Sequence, residues 1–273
     1  MSSLWAAKAL LPVSQRTFTL LTALLFLGSP CAKAQSSEDP KERPGHKPHP
    51  AGEAGKVVAT LTQLQVKQPH QAQVKDATKN YVMHALGSEG NIMAEAYYEE
   101  ADSTVLWLIE RWASKEALDR ISSSSESKIL AALAKEALVK PVEITPLVDL
   151  EPLSKQEWRR AAKSEDRPLT IMLFVDAKPG TQGDFKEIYH KAMPPFRSQP
   201  GVVTYQISQL KEDGTKFVTY EKFRSKDAFQ AHLVFPAIKP VIDFLHTSIK
   251  KQPFQEGLHT LIEFAPPYEG DRE

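Results

Sequence analysis

The 273-residue chain is predicted to be an α+β protein made of two ferredoxin-like βαββαβ domains. Three observations predict it. "LWLIERWASKEAL" (Leu106 to Leu118) and "FVTYEKFRSKDAF" (Phe217 to Phe229) are two versions of one pattern. They match Glu110/Glu221, Ser114/Ser225, Lys115/Lys226 and Ala117/Ala228 at a constant offset of 111 residues. The same offset pairs Lys67 with Lys178, Gly90 with Gly201 and Thr104 with Thr215. Around these anchors each copy orders its strand-like and helix-like stretches β-α-β-β-α-β. An ungapped register from about residue 56 to residue 121 marks an internal duplication.

The first copy opens with "KVVATLTQLQV" (Lys56 to Val66), a β-branched strand bounded by Gly55 and the Gln68-Pro69 turn. A helix follows from about Gln71 to Leu86, with Val74, Ala77, Tyr81 and Ala85 near the 3.6-residue period. Gly87 to Gly90 ends it. "NIMAEAYYE" and "TVLWLIERW" read as a hairpin about Glu100 to Ser103. Ser114 is a good N-cap for a helix holding Leu118, Ile121, Ile129, Leu130 and Leu133, interrupted at Ser122 to Ser125. "VEITPLVDL" closes the copy as a strand.

In the second copy "PLTIMLFVDA" is a strand and "KPGTQGD" a turn. Asp184 to Gln199 is a helix with Phe185, Ile188, Tyr189, Ala192 and Phe196 on one face. Pro194-Pro195 should kink it or end it early. "VVTYQISQL" and "KFVTYEKF" form a hairpin across Glu212-Asp213-Gly214. Ser225 caps the next helix, and "LHTLIEFA" is the last strand. Ser154 to Arg167 reads as a short charged helix running into a linker.

A sheet with one wet face alternates polar and apolar residues, whereas Val105 to Ile109 is apolar at both parities. Helices cover one face of that strand, and the other needs a second sheet. The duplicate domain supplies it, so the two sheets are expected to pack against each other as one α+β barrel within the chain. The short linker favours this over pairing between chains through effective concentration.

The flanks read differently. Arg16, the apolar run Thr17 to Gly28 and the triplet Ala32-Lys33-Ala34 form a signal-peptide pattern, with the cut expected between Ala34 and Gln35. The chain is therefore expected to be exported, to the periplasm or the medium, with no membrane association after cleavage. Cys31 is the single cysteine, so the mature chain would hold neither disulfide nor thiolate. Residues 35–55, rich in Pro, Gly, Ser and charge, read as a disordered tether, and His46 and His49 as solvated members of it. The expected organisation is residues 1–34 signal peptide, 35–55 tether, 56–153 first domain, 154–167 linker, 168–267 second domain and 268–273 tail. Zero formal net charge removes a bulk electrostatic case for nucleic acid. Glu99-Glu100 reads as a solvated turn. His84, His190 and His259 have no partners at metal-ligand spacing, and no H-E-x-x-H, phosphate loop or G-x-S-x-G is present.

"LIERWASKEAL" and "TYEKFRSKDAFQAHL" resemble the ER-W-x-(S/D)-x-x-A-L-x-x-H signature of the antibiotic biosynthesis monooxygenase domain family, whose members are dimeric α+β barrels. Gln199-Pro200-Gly201, ahead of a strand, is similar to that family too. The resemblance implies a cofactor-independent monooxygenase acting on a small quinol, phenolic or polyketide-like aromatic, with dioxygen as co-substrate and no metal. It also implies a homo-oligomer. His232 matches the family's histidine and is the implied base, with Tyr189, Tyr205, Tyr220 and Phe223 as pocket walls. Two departures stand out. Phe235-Pro236-Ala237 lacks the histidine of the family's S-P-H, and the first copy has Ile121 where the second has His232. The resemblance also bears on haem, which haem-degrading relatives ligate with a histidine farther along this helix. Ten residues beyond His232 and Ile121 stand Ile242 and Ala131, so haem ligation is disfavoured, with His246 one turn further. The rival expectation is a non-catalytic ligand-binding or dimerisation module of the same fold.

Overall fold

The computed structural model describes residues 57–160, 163, 165–251 and 257–267. The expected signal peptide, tether and tail lie outside the described residues. Eight strands form one closed antiparallel barrel: β1 (Val58–Gln65), β2 (Asn91–Glu99), β3 (Val105–Trp112), β4 (Glu143–Leu150), β5 (Leu169–Asp176), β6 (Val202–Leu210), β7 (Lys216–Phe223) and β8 (Leu258–Ala265). The order around the wall is β1-β3-β2-β8-β5-β7-β6-β4, with β4 pairing back to β1. Each copy contributes a four-stranded ferredoxin-like sheet. The seams between copies are β2–β8 and β4–β6. The intrachain barrel expected from the parity of Val105 to Ile109 is what forms.

Helices α1 (Gln71–Gly87), α2 (Lys115–Ser122) and α3 (Ser125–Ala137) cover the first sheet. A short α4 (Lys155–Trp158) lies in the linker. The second sheet carries α5 (Gln182–Ser198), α6 (Lys226–Leu233) and α7 (Lys239–Thr247). The interruption at Ser122 to Ser125 divides α2 from α3, where Ser124 caps α3. Of the two outcomes expected at the proline pair, an early end is not what forms: α5 runs through Pro194 and Pro195 to Ser198. Its buried face, Phe185, Tyr189, Ala192, Met193 and Phe196, is packed on the sheet, and that packing outweighs the backbone bonds the prolines cannot make.

The duplicated residues have duplicated jobs. Lys67 Nζ donates to the Glu136 carbonyl at 2.7 Å, and Lys178 Nζ to that of Thr247 at 2.7 Å, each tying a strand exit to the end of its copy's last helix. Thr104 and Thr215 each donate to the aspartate two residues back in their hairpins. Ser114 and Ser225 cap α2 and α6 by accepting from the amides of Ala117 and Ala228. A Cβ at Gly90 would sit 2.6 Å from the Ala117 Cβ, and one at Gly201 2.5 Å from that of Ala228. Glycine is kept in both copies because the helix lies against it.

Every position of β3 is buried. Its alternate residues Leu106, Leu108 and Trp112 face the helices, while Val105, Trp107 and Ile109 face the barrel interior. Because neighbouring strands are all antiparallel, β3 and β7 run the same way around the eight-stranded ring, and their C-terminal ends share one barrel end. There Arg111 makes a two-pronged ion pair with Asp149 at 2.7 and 2.9 Å. Lys222, its counterpart at the same offset, contacts Glu263 at 2.8 Å and Glu95 at 3.1 Å. Trp158 of α4 plugs this end, 2% exposed, with its ring 5.6 Å from that of Tyr220 and 5.0 Å below the Arg111 guanidinium.

Candidate functional site

The sites named from sequence fall on the helix-facing side of the second sheet, where β6 and β7 lie under α5 and α6. Strand alternation aims Tyr205 of β6 and Thr219, Glu221 and Phe223 of β7 at the helices. Amphipathic α5 brings Tyr189 and Phe196 down onto them, and α6 brings His232. His232 is 1% exposed. Its ring lies 4.7 Å from Phe196, 5.2 Å from Phe223 and 5.5 Å from Tyr205. Gln199, just past α5, meets its Nδ1 at 3.0 Å, so only Nε2 is left for a substrate. Burial pushes the imidazole pKa down to about 4, which keeps the ring neutral at neutral pH.

Beside it stands a carboxyl that the sequence marks only as one half of the repeated pair Glu110/Glu221. Glu221 Oε1 accepts hydrogen bonds from Tyr205 at 3.0 Å and Thr219 at 2.7 Å. Burial pushes this carboxyl up to about 7, against the opposing effect of those two donors. Burial and the charge of Glu221 raise the hydroxyl pKa of Tyr205 and Tyr189. The buried Tyr189 hydroxyl lies without a hydrogen bond of ordinary geometry. The cluster therefore joins a neutral imidazole, a carboxyl raised toward neutrality and the buried hydroxyls of Tyr189 and Tyr205 inside an aromatic shell. Such a set can accept, hold and return a proton. The sequence signal for Glu221 was its pairing with Glu110 on a strand whose neighbours are apolar.

The first copy keeps part of this arrangement. Glu110 accepts from Tyr81 at 2.7 Å and from the Trp112 indole at 3.1 Å, and burial raises its pKa. Ile121 stands at the place of His232 and is buried in an apolar cluster.

Of the expected pocket walls, Tyr205 and Phe223 pack against the His232 ring, and Tyr189 lies in the same helix-facing core as those two. Tyr220 does not, and its assignment is corrected. It stands one residue from Glu221 and three from Phe223, so alternation turns it to the opposite face, into the barrel interior. There its hydroxyl donates to Glu95 at 2.5 Å and lies 2.6 Å from that of Tyr97. Burial opposes ionisation of Glu95, but Lys222 and the two tyrosine donors outweigh it and hold the carboxyl below its usual range. Glu99 also departs from its expected role in a solvated turn. It turns into the barrel to meet Trp107 and His259.

Among the described residues, no group of three or more His, Cys, Asp or Glu side chains could hold a metal ion. Nor is any helix there long and apolar enough to cross a membrane.

The sequence profile of the family described as antibiotic biosynthesis monooxygenase matches residues 57–132 and 168–241. An uncharacterized protein of Synechocystis sp. is 22% identical over 123 residues, 45% of this chain and 79% of that protein. Two proposed monooxygenases share the fold, each over 76% of this chain with a TM-score of 0.64. That of Lactobacillus acidophilus is covered over 94% of its own chain at 15% identity. That of Fusobacterium nucleatum is covered over 92% at 16% identity. The solved structure of an anthrone oxidase-like protein aligns with a TM-score of 0.53 at 14% identity, over 77% of this chain and 92% of that one.

Proposed function

Since the chain belongs to the antibiotic biosynthesis monooxygenase family, with both matched segments in one barrel of monooxygenase-like fold, we propose that its second copy oxygenates a small phenolic or anthrone-like aromatic, with His232 as the base. The observation that carries this reading is a neutral imidazole on the same helix-facing surface as a carboxyl raised to about 7. Nε2 of His232 takes a proton from the activated carbon or hydroxyl of the substrate. The resulting anion passes one electron to dioxygen, giving a substrate radical and superoxide. These combine into a peroxide anion, which takes the proton back. Loss of water then breaks the O–O bond and leaves a carbonyl. In sum, a ring CH2 and one dioxygen become a C=O and one water. Glu221, through Tyr205, is the neighbouring proton reservoir.

A second reading is a ligand-binding module without turnover. The enclosure of His232 by three aromatic rings at 1% exposure favours it. Oxygen uptake with a panel of anthrones and hydroquinones separates the two. The catalytic reading expects His232→Ala, and the closer-sized His232→Gln, to slow turnover by roughly 100-fold or more while binding survives. Equal background oxygen consumption by wild type and both variants, with binding intact, would leave the binding module standing.

A further inference from the structure

Matching the two copies position by position shows where they have diverged. Away from the Trp158 plug, four side chains from four strands converge inside the barrel. The Trp107 indole donates to Glu99 Oε1 at 2.9 Å, and His259 Nδ1 lies 3.0 Å from the same oxygen. The imidazole stands edge-on to Trp107, 5.6 Å between ring centres, and to Phe174 at 5.5 Å. The offset of 111 places Leu210, Val218 and Gln63 at the positions of Glu99, Trp107 and Phe174. Thr145 takes that of His259, because it pairs with Leu61 as His259 pairs with Met172. None of these can repeat the cluster. It exists by the β2–β8 seam and has no counterpart by the β4–β6 seam.

We propose that this cluster is a second ligand site, in which His259 binds small hydroxylated aromatics and takes their hydroxyl proton. Holding the Nδ1 proton toward Glu99 leaves Nε2 as the acceptor, and the carboxylate stabilises the imidazolium that forms. The Trp107 N–H fixes the carboxylate oxygen. Trp107 and Phe174 supply the ring edges an aromatic guest packs against. The His259 and Glu99 side chains are 20% and 16% exposed, so the pair is open to solvent, in contrast to His232 at 1%. A purely structural role would require only an acceptor for the indole N–H. The other seam closes with threonine where this one has histidine. The step is proton transfer alone: the guest's O–H bond breaks, an Nε2–H bond forms, the aromatic oxyanion stays bound and no electron moves. It does not depend on the oxygenation reading.

Titration of the full chain with 4-nitrophenol, below that probe's own pKa, tests the site, because the ionised probe absorbs apart from the neutral one. Wild type is expected to bind it as the phenolate. His259→Phe should weaken binding by about tenfold and abolish the phenolate band. Glu99→Gln keeps an acceptor for Trp107 but loses the charge, so it should bind the probe and leave it protonated. His84→Gln, on α1, should behave as wild type. If His259→Phe does not fold, Glu99→Gln decides. The inference is overturned if wild type leaves the spectrum unchanged, or if the Glu99 and His259 variants titrate as wild type does.

Discussion

His232 and Glu221 carry buried charge states of opposite kind, and their pH dependence has opposite sign. The folded pKa of His232 is depressed from 6.5 to about 4, so the stability tied to its neutral form is complete above pH 6.5 and is lost as the pH falls toward 4. The folded pKa of Glu221 is raised from 4.5 to about 7, so its contribution is complete below pH 4.5 and is lost as the pH rises through 7. Each difference corresponds to about 3 kcal/mol. Relative to wild type, His232→Leu should therefore gain stability between pH 7 and 4, and Glu221→Gln between pH 5 and 8. Thermal melts across that range should show shifts of several degrees in each direction; flat differences would mean the groups are not desolvated as described. The sequence made His232 legible through its place in a helix signature, and Glu221 only as half of a repeated pair. The Tyr220 assignment was open to correction from the sequence itself, since residues 220 and 223 of one strand cannot share a face. His84 and His259 gave no signal because their partners, Glu126 and Glu99, are distant in the chain.

At the scale of elements, strand and helix order was readable because the chain states it twice. The two copies check each other at the caps, hairpins and helix contacts. The proline pair in α5 was not readable in this way, because the first copy has no prolines there and local chemistry alone argued for a break. Tertiary burial of Phe196 beyond the prolines decided the outcome. The repeated glycines give a direct test of packing between elements. Gly201→Ala would drive a methyl to 2.5 Å from the Ala228 Cβ, lifting α6 from the start of β6. Overpacking of this kind costs about 1–3 kcal/mol. Gly201→Ala with Ala228→Gly should recover much of it. Denaturant melts of the two variants check the coupling, and additive losses would contradict the close contact.

For the whole molecule, the barrel means that neither copy has a finished core alone. Trp107, Met172, Val218 and Leu261 belong to one interior cluster drawn from both copies. The second copy expressed by itself, from Arg167, should expose that face and either self-associate or lose cooperative melting; a folded monomer by sedimentation and thermal melt would contradict the shared core. Parity in β3 made the barrel legible, whereas the ion pairs inside it were not, because Lys222 with Glu95 and His259 with Glu99 join strands of different copies, and Arg111 with Asp149 joins strands 38 residues apart with two helices between them. The symmetry of the ring has a further consequence for connectivity. The linker joins the end of β4 to the start of β5, and the end of β8 meets the start of β1 at that same barrel end. Closing residue 267 onto residue 57 with a linker of similar length and opening the chain between β4 and β5 would yield a circular permutant with the copies in reverse order and every strand pairing kept. The two orders are not equivalent, because only the natural linker carries Trp158. The gene order of the copies thus chooses which covalent bridge runs across the barrel end, and with it whether Arg111 and Tyr220 are roofed by an indole.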